Sequence, residues 1–176
     1  MLSAVFCLGY VSGGWRLGLL VFSLLLVEGI LGYWDLAMST VAMIVTAVAA
    51  STLFGVPLGI LASRSDRFAA LLRPILDGMQ TIHPFVYLVP IVMFFGIGKV
   101  PGTMATMVYA IPPIVRLTNL GIRQVSREVV EASISFGATD RQTLFEIQLP
   151  LAMPTIMAGL NQTLMMALAM VVIVAM

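Results

Sequence analysis

The chain has 176 residues, of which 60% are hydrophobic and only 10% are charged, and its formal net charge is +1. A soluble domain of this length would carry roughly a quarter charged residues, so lipid must surround much of the apolar surface. The near-neutral charge argues against a nucleic-acid partner. Cys7 is the single cysteine, which excludes an intrachain disulfide and a cysteine metal cluster. We interpret it as a small buried apolar residue.

The two ends of the sequence resemble interrupted membrane segments. Residues 1–14 lack the basic start and the small-residue cleavage site of a signal peptide, which favours a remnant of a membrane segment. The chain stops at Met176 within an apolar run. We therefore expect a fragment of a longer protein, in which residues 1–176 form one transmembrane domain.

Five segments are candidate membrane-spanning helices, each of which needs about 20 apolar residues. Proline interrupts the third and breaks the fourth. This pattern predicts an all-α polytopic membrane protein with about five spans. The candidates are residues 17–33, 38–61, 82–97, 102–120 and a segment that starts near residue 154.

The basic residues predict the orientation of these spans. If five spans alternate, Arg16 and the arginines of the two longer loops lie on one side of the membrane, and only Lys99 lies on the other. Lys and Arg are enriched in short cytoplasmic loops. Residues 62–81 and 121–150 are therefore expected to be cytoplasmic.

The first half of the second cytoplasmic segment has the pattern of a short helix. Residues 127–136 follow Ser126, a plausible N-cap, and Glu128 favours the first turn. Gly137 would end the helix by adopting a left-handed conformation that a residue with a Cβ atom resists.

A second short helix is predicted directly after this glycine. Thr139 and Gln142 have the spacing of a capping box. The helix is expected to run to about Gln148 and to stop before Pro150, because proline lacks an amide hydrogen and disfavours helix in the preceding residue.

The apolar residues of this segment leave its role open. They could pack under the membrane helices, they could belong to a solvated hairpin, or they could dock a soluble partner. They are Phe136, Leu144, Phe145, Ile147 and Leu149.

The same segment resembles the EAA motif of the membrane subunits of ABC importers. The matching residues are Glu131-Ala132-Ser133, Gly137 and Ile147-x-Leu149-Pro150. Only Ser133 departs from the motif, which usually has alanine there. We call residues 121–150 the EAA segment.

Three other stretches extend the resemblance to about residues 32–176. Residues 71–102, 111–125 and 148–173 are similar to the permeases of glycine betaine/proline betaine uptake systems (the ProW/OpuAB type). His83 stands where a smaller residue is expected. The resemblance implies the type I ABC importer transmembrane fold in a bacterial or archaeal cytoplasmic membrane, and a role in osmotic protection.

The resemblance also implies a set of partners. A separate cytoplasmic ABC ATPase would bind ATP and Mg, so the chain itself would hold no cofactor or metal and would not be an enzyme. A second copy of the permease would complete the pathway, and an extracytoplasmic binding protein would deliver the solute. Closure of the ATPase pair on ATP would open the pathway outward, and hydrolysis would reset it.

Eight residues would couple the permease to the ATPase. Glu131 and Arg141 would make polar contacts at the docking surface, although Arg141 lies outside the motif. Small residues would allow close approach, and the apolar residues would hold the segment against the span below. The set is Glu131, Ala132, Ser133, Gly137, Arg141, Ile147, Leu149 and Pro150.

Missing motifs bear on other functions. The nearest string to a phosphate-binding Walker A loop, residues 96–100, lacks the first glycine and the final Ser/Thr. His83 is the only histidine, which disfavours a metal-hydrolase site and suggests a polar group at a helix start. An ion-gradient-driven secondary transporter of small zwitterions is the alternative. Its ionisable site would have to be Glu28, which stands near the end of a span and is more typical of an interfacial carboxylate.

Aromatic residues are candidates for the substrate pathway. Aromatic faces hold quaternary ammonium groups, and helices broken by proline often line a cavity in membrane proteins. The same side chains could instead pack or face lipid, and the resemblance places solute affinity in the binding protein. The sequence does not choose among betaine, choline, carnitine and proline. The candidates are Phe85, Tyr87, Phe94 and Tyr109.

Overall fold

A computed structural model describes residues 15–175, which form helices and no strand. The predicted all-α fold is therefore confirmed for these residues, and Cys7 and the rest of segment 1–14 lie outside them. The helices are α1 (Trp15–Ile30), α2 (Trp34–Arg64), α3 (Asp66–Thr81), α4 (Pro84–Phe95), α5 (Lys99–Arg123), α6 (Arg127–Ser135), α7 (Asp140–Gln142) and α8 (Leu149–Ala175), with a π-helical segment, Thr143–Gln148, between the last two.

Contacts between Cα atoms divide the chain into residues 1–42 and residues 43–176. In the first unit, α1 ends at Ile30, and Gly32 just beyond it has a φ of 79°, in the left-handed region. The amide of Tyr33 then donates to the carbonyl of Glu28 at 3.2 Å. These contacts satisfy carbonyl groups that the end of a helix leaves unpaired.

In the second unit α5 is the central helix and runs antiparallel to α8. Gly121, near the end of α5, lies against Ala152 at the start of α8, and Gly102, near the start of α5, lies against Val174. The core of the unit includes Ile114, which is fully buried. Small residues allow the two backbones to approach closely, as is common between membrane helices.

Helix α2 packs against another side of α5, also through small residues. A Cβ atom built on Gly55 would lie 2.3 Å from the Ile114 side chain, and one built on Gly59 would lie 2.6 Å from Thr118 Cβ. Ser51 is fully buried and donates a hydrogen bond to the carbonyl of Met107 at 3.1 Å. Around these residues the α2–α5 contact therefore combines closely approaching backbones with a buried hydrogen bond.

Length and hydropathy alone identify fewer spans within the described residues than the five segments predicted. Among the described residues, two helices, Trp34–Arg64 and Asp140–Val174, are long and apolar enough to cross a membrane, and α3 with α4 makes a third if this pair, bent by 92°, is one span. The 12 residues of α4 rise only about 18 Å. Helix α5 is long enough, but its prolines and Arg116 lower its hydropathy.

The loop expected at residues 62–81 is mostly the amphipathic helix α3. Asp77 forms an ion pair with Arg116 of α5, and Asp66 forms another with Arg123, at 2.7 Å. Each pair is exposed enough to contribute about 1 kcal/mol or less. The buried residues of α3 are Ala69 and Leu76, and the two ion pairs join the helix to α5.

Candidate functional site

The first helix of the EAA segment ends as the sequence predicts. Gly137 has a φ of 89°. Its amide donates to the carbonyl of Ile134 at 2.9 Å, and the amide of Ala138 donates to the carbonyl of Ser133 at 3.1 Å. This pair of bonds is a Schellman motif, which reverses the chain direction and satisfies the last carbonyls of α6. At the other end of α6, Ser126 occupies the N-cap position, but its side chain makes no capping bond.

The predicted capping box is also present. The amide of Thr139 donates to Oε1 of Gln142 at 2.9 Å, and the amide of Gln142 donates to Oγ1 of Thr139 at 3.4 Å. Reciprocal bonds of this kind fix the direction in which a helix starts. Hydrogen bonds on both sides of Gly137 therefore fix the conformation of the turn between the two helices.

The predicted stop before Pro150 is wrong. Helical structure continues from Asp140 through the π-helical segment into α8, and Pro150 is the second residue of α8. The amide of Leu149 donates to the carbonyl of Leu144, five residues earlier. Bonds to the fifth residue widen the turn and use the carbonyls differently from an α-helix. A proline, which has no amide hydrogen to donate, fits there without ending the helix.

A buried pair of hydroxyl groups joins the two halves of the segment. Ser133 is 7% exposed and Thr143 is 4% exposed. Ser133 Oγ donates to the carbonyl of Val130 at 2.7 Å and lies 3.2 Å from Thr143 Oγ1. Because the one proton of Ser133 is used by Val130, Thr143 is the donor in the second bond. An alanine at position 133, as in the usual motif, would leave the Thr143 hydroxyl without this partner.

The structure separates the apolar residues of the segment into two groups. Leu144 is buried in the core cluster with Ile114, and Leu149 packs against that cluster. Ile147 is partly buried. By contrast, Phe136 is 92% exposed, and about half of the Phe145 side chain is exposed. Packing under the membrane helices therefore accounts for the first group and leaves Phe136 uncovered.

The two charged residues assigned to docking lie in different places. Glu131 lines an open cleft of about 510 Å³ together with Arg64 and Arg127. The guanidinium carbon of Arg141 lies 5.9 Å from the centre of the Phe145 ring, a cation–π arrangement. Both side chains are exposed, as is Ala132. Within residues 15–175, neither Glu131 nor Arg141 forms an ion pair.

Sequence reasoning missed a contact between this segment and α2. The guanidinium of Arg64 donates to the backbone carbonyl of Asp140 at 3.1 Å. In the sequence Arg64 counts only as a basic loop residue, because its partner lies 76 positions away. No side-chain pattern reveals a bond to a backbone carbonyl.

The four pathway candidates lie on α4 and α5 and differ in environment. Phe85 is about half exposed and stacks on His83 with ring centres 5.4 Å apart. The hydroxyl of Tyr87 donates to the carbonyl of Met79 at 2.8 Å. Phe94 is mostly exposed, and Tyr109 is partly buried. As predicted, His83 precedes the first residue of α4.

Other site chemistries find no support in the described part of the chain. No group of three or more His, Cys, Asp or Glu side chains there is placed to hold a metal ion. Glu28, the candidate for ion coupling, lies in the last turn of α1.

Most of the chain is similar to known membrane transport proteins. Residues 55–176 match the protein family described as "Binding-protein-dependent transport system inner membrane component". The glycine betaine/proline betaine permease ProW of Escherichia coli is 56% identical over 93% of this chain. The glycine betaine permease OpuAB of Bacillus subtilis is 49% identical over 90% of it, and the glycine betaine/carnitine permease GbuB of Listeria monocytogenes is 48% identical over 93% of it.

The chain spans about half the length of these relatives: 46% of ProW, 57% of OpuAB and 58% of GbuB. The matched region contains α3 to α8 and the whole EAA segment. With its apolar helices, it shares the inner-membrane character that the family description states. The chain belongs to the family of inner membrane components of binding-protein-dependent transport systems.

Proposed function

We propose that this chain is the membrane-spanning permease subunit of an ATP-driven importer of glycine betaine or a related quaternary-ammonium solute. The observation that carries the proposal is the EAA segment, a hydrogen-bonded turn between two short helices with an uncovered aromatic residue, in a chain of this transport family. The solute class comes from the names of the relatives, which transport glycine betaine, proline betaine and carnitine.

The EAA segment would couple the permease to a separate ATPase subunit, which would bind ATP and Mg. The Schellman motif and the capping box give the turn a defined conformation to which a partner surface can bind. Helical structure then continues without a break from Asp140 into α8. A displacement of the turn would therefore move a membrane-spanning helix directly, since helices transmit motion along their axis better than loops do.

The residues proposed for docking divide by role. Phe136 would insert into an apolar pocket of the ATPase, because exposed aromatic residues dominate the energetics of many interfaces. Glu131 and Arg141 would make polar contacts at its edge. Leu149 and Ile147, which are partly buried, would hold the segment against the core. This division follows the exposure of the side chains.

Further partners complete the proposed assembly. A second copy of the permease would form the other half of the pathway, a binding protein outside the membrane would deliver the solute, and lipid would cover the apolar outer surface. Phe85, Tyr87, Phe94 and Tyr109 are the proposed aromatic contacts of the solute. In this arrangement the whole of residues 1–176 belongs to the transmembrane domain.

The alternative, a secondary transporter driven by an ion gradient, has less support. It would need an ionisable group in the interior of the membrane, and Glu28 lies near the end of a helix. Membership in a family of binding-protein-dependent transporters also argues for the ATP-driven mechanism.

Uptake of labelled glycine betaine tests the proposal. Cells would carry the full-length gene with the gene of its ATPase, either intact or with the phosphate-binding lysine of the ATPase mutated. We expect uptake in the first cells and its loss in the second. Uptake that survives the lysine mutation, but disappears when the proton or sodium gradient is dissipated, would support the secondary transporter instead.

A further inference from the structure

The last residue of α2 is bonded to the start of the second EAA helix. Arg64 Nη2 lies 3.1 Å from the carbonyl oxygen of Asp140, the first residue of α7. A hydrogen bond with a charged donor is roughly twice as strong as one between neutral groups. The acceptor is a backbone atom, so the bond attaches Arg64 to the helix backbone and not to a mobile side-chain carboxylate.

A second arginine joins the entry of the EAA segment to the same end of α2. Arg123, the last residue of α5, donates from Nη2 to the carbonyl of Ala62 at 2.9 Å. Its Nε donates to Asn119 at 2.9 Å, and its Nη1 lies 2.7 Å from Asp66. One guanidinium thus contacts α2, α3 and its own helix. The entry of the EAA segment and the start of its second helix are therefore both bonded to the last turn of α2.

These bonds lie beside an open cleft between the end of α2 and the EAA segment. The cleft of about 510 Å³ that Glu131 lines also has Arg64 and Arg123 in its walls. Farther along α2 the situation is different, because Gly55 and Gly59 bring its backbone against α5. At the EAA segment, Ile60 of α2 packs against the core cluster that contains Leu144, and the two arginines add polar bonds to the last turn of α2.

We propose that Arg64 is a positioning residue that transmits movement of the EAA segment to α2. Helix α2 would then move with the segment in addition to α8. The inference rests on the proposed function, since it assumes that an ATPase moves the segment. The continuous helix from Asp140 carries the displacement to α8, and the Arg64 bond carries it to α2. Helices α2 and α8 both pack against α5, the central helix of this unit. We therefore expect the shape of the pathway to change fully only if both helices move with the EAA segment.

The test uses the full-length permease assembled with its ATPase and binding protein in lipid vesicles. Glycine betaine uptake and ATP hydrolysis are measured in the same preparation, and their ratio is compared between variants. For Arg64→Gln we expect uptake to fall at least about fivefold, the lower end of typical coupling between sites, while hydrolysis remains near that of the unmodified transporter. The ratio therefore falls with uptake. A purely structural defect would lower both rates together and leave the ratio unchanged.

Two matched controls separate the bond from a general loss of charge. Arg67→Gln removes the same charge from a neighbouring exposed side chain that forms no ion pair within residues 15–175, and it should leave the ratio unchanged. Asp140→Ala removes the carboxylate but keeps the carbonyl that Arg64 contacts, and it should also leave the ratio unchanged.

Three results would overturn the inference: a normal ratio in Arg64→Gln, an equal loss in Arg67→Gln, or an equal loss in Asp140→Ala. Failure of the proposed function would be distinct, because the unmodified transporter would then show no ATP-dependent uptake.

Discussion

Replacement of Gly137 by aspartate is expected to abolish uptake while the variant still inserts into the membrane in normal amounts. The φ of 89° is one that residues with a Cβ atom rarely adopt, at a cost of about 1–2 kcal/mol. A Cβ atom built at Gly137 meets nothing within 4 Å, so the change creates no clash within the chain. The added group instead points from the exposed turn towards the surface that we propose for the ATPase.

The measurement is uptake of labelled glycine betaine, with the amount of membrane-inserted protein determined by immunoblotting. Gly137→Asn is the matched variant, because asparagine has nearly the size of aspartate and also tolerates left-handed conformations, but carries no charge. It should retain more uptake than Gly137→Asp. Normal uptake by the aspartate variant at normal protein levels would show that Gly137 has no part in coupling.

The second large effect is expected at Gly59, where α2 contacts α5. A Cβ atom at Gly59 would lie 2.6 Å from Thr118 Cβ and 2.9 Å from the backbone oxygen of Val115. A backbone atom cannot rotate away, so Gly59→Ala must force the two helices apart. Overpacking of this kind costs about 1–3 kcal/mol. We expect a clearly lower unfolding temperature for the purified protein in detergent.

Gly78→Ala is the matched control for this prediction. A Cβ atom at Gly78 meets nothing within 4 Å, and alanine in a helix interior is more stable than glycine by about 0.5–1 kcal/mol. The same substitution should therefore raise the unfolding temperature at Gly78 and lower it at Gly59. A rise at both positions would mean that α2 and α5 do not pack as closely as described.

The parts of the EAA segment that were predictable from the sequence are those fixed by local contacts. The capping box joins Thr139 to Gln142 across three positions, and the left-handed turn at Gly137 depends on its own lack of a Cβ atom. All residues that form these features lie within a few positions of one another, so a short stretch of sequence contains every partner. Local patterns are therefore sufficient to place the end of the first helix of the segment and the start of the second.

Some features were not predictable because they depend on contacts between residues far apart in the sequence. Another was not predictable because the local backbone geometry admits an exception to a sequence rule. Phe136 and Leu144 are both large apolar residues, yet one is exposed and the other is buried in the core. Only the folded arrangement decides between them. The rule that a helix stops before Pro150 fails because the π-helical segment widens the preceding turn. The bond from Arg64 reaches a backbone atom 76 positions away.

The count of spans shows a similar limit. Hydropathy locates the apolar segments, but it does not show that α3 and α4 meet at a 92° bend. Nor does it distinguish a polar central helix such as α5, which is covered by α2 and α8, from a helix that faces lipid. Both distinctions depend on what packs against the helix.

Site-specific photo-crosslinking at position 136 tests the central claim most directly. A photoreactive phenylalanine analogue would replace Phe136 in the full-length permease, in membranes that contain the ATPase. Leu53, which is 70% exposed on the apolar helix α2, would carry the same analogue as the control. We predict a covalent adduct with the ATPase from position 136 and none from position 53. A transport-competent complex in which position 136 gives no adduct with the ATPase would contradict the proposed docking role of the EAA segment.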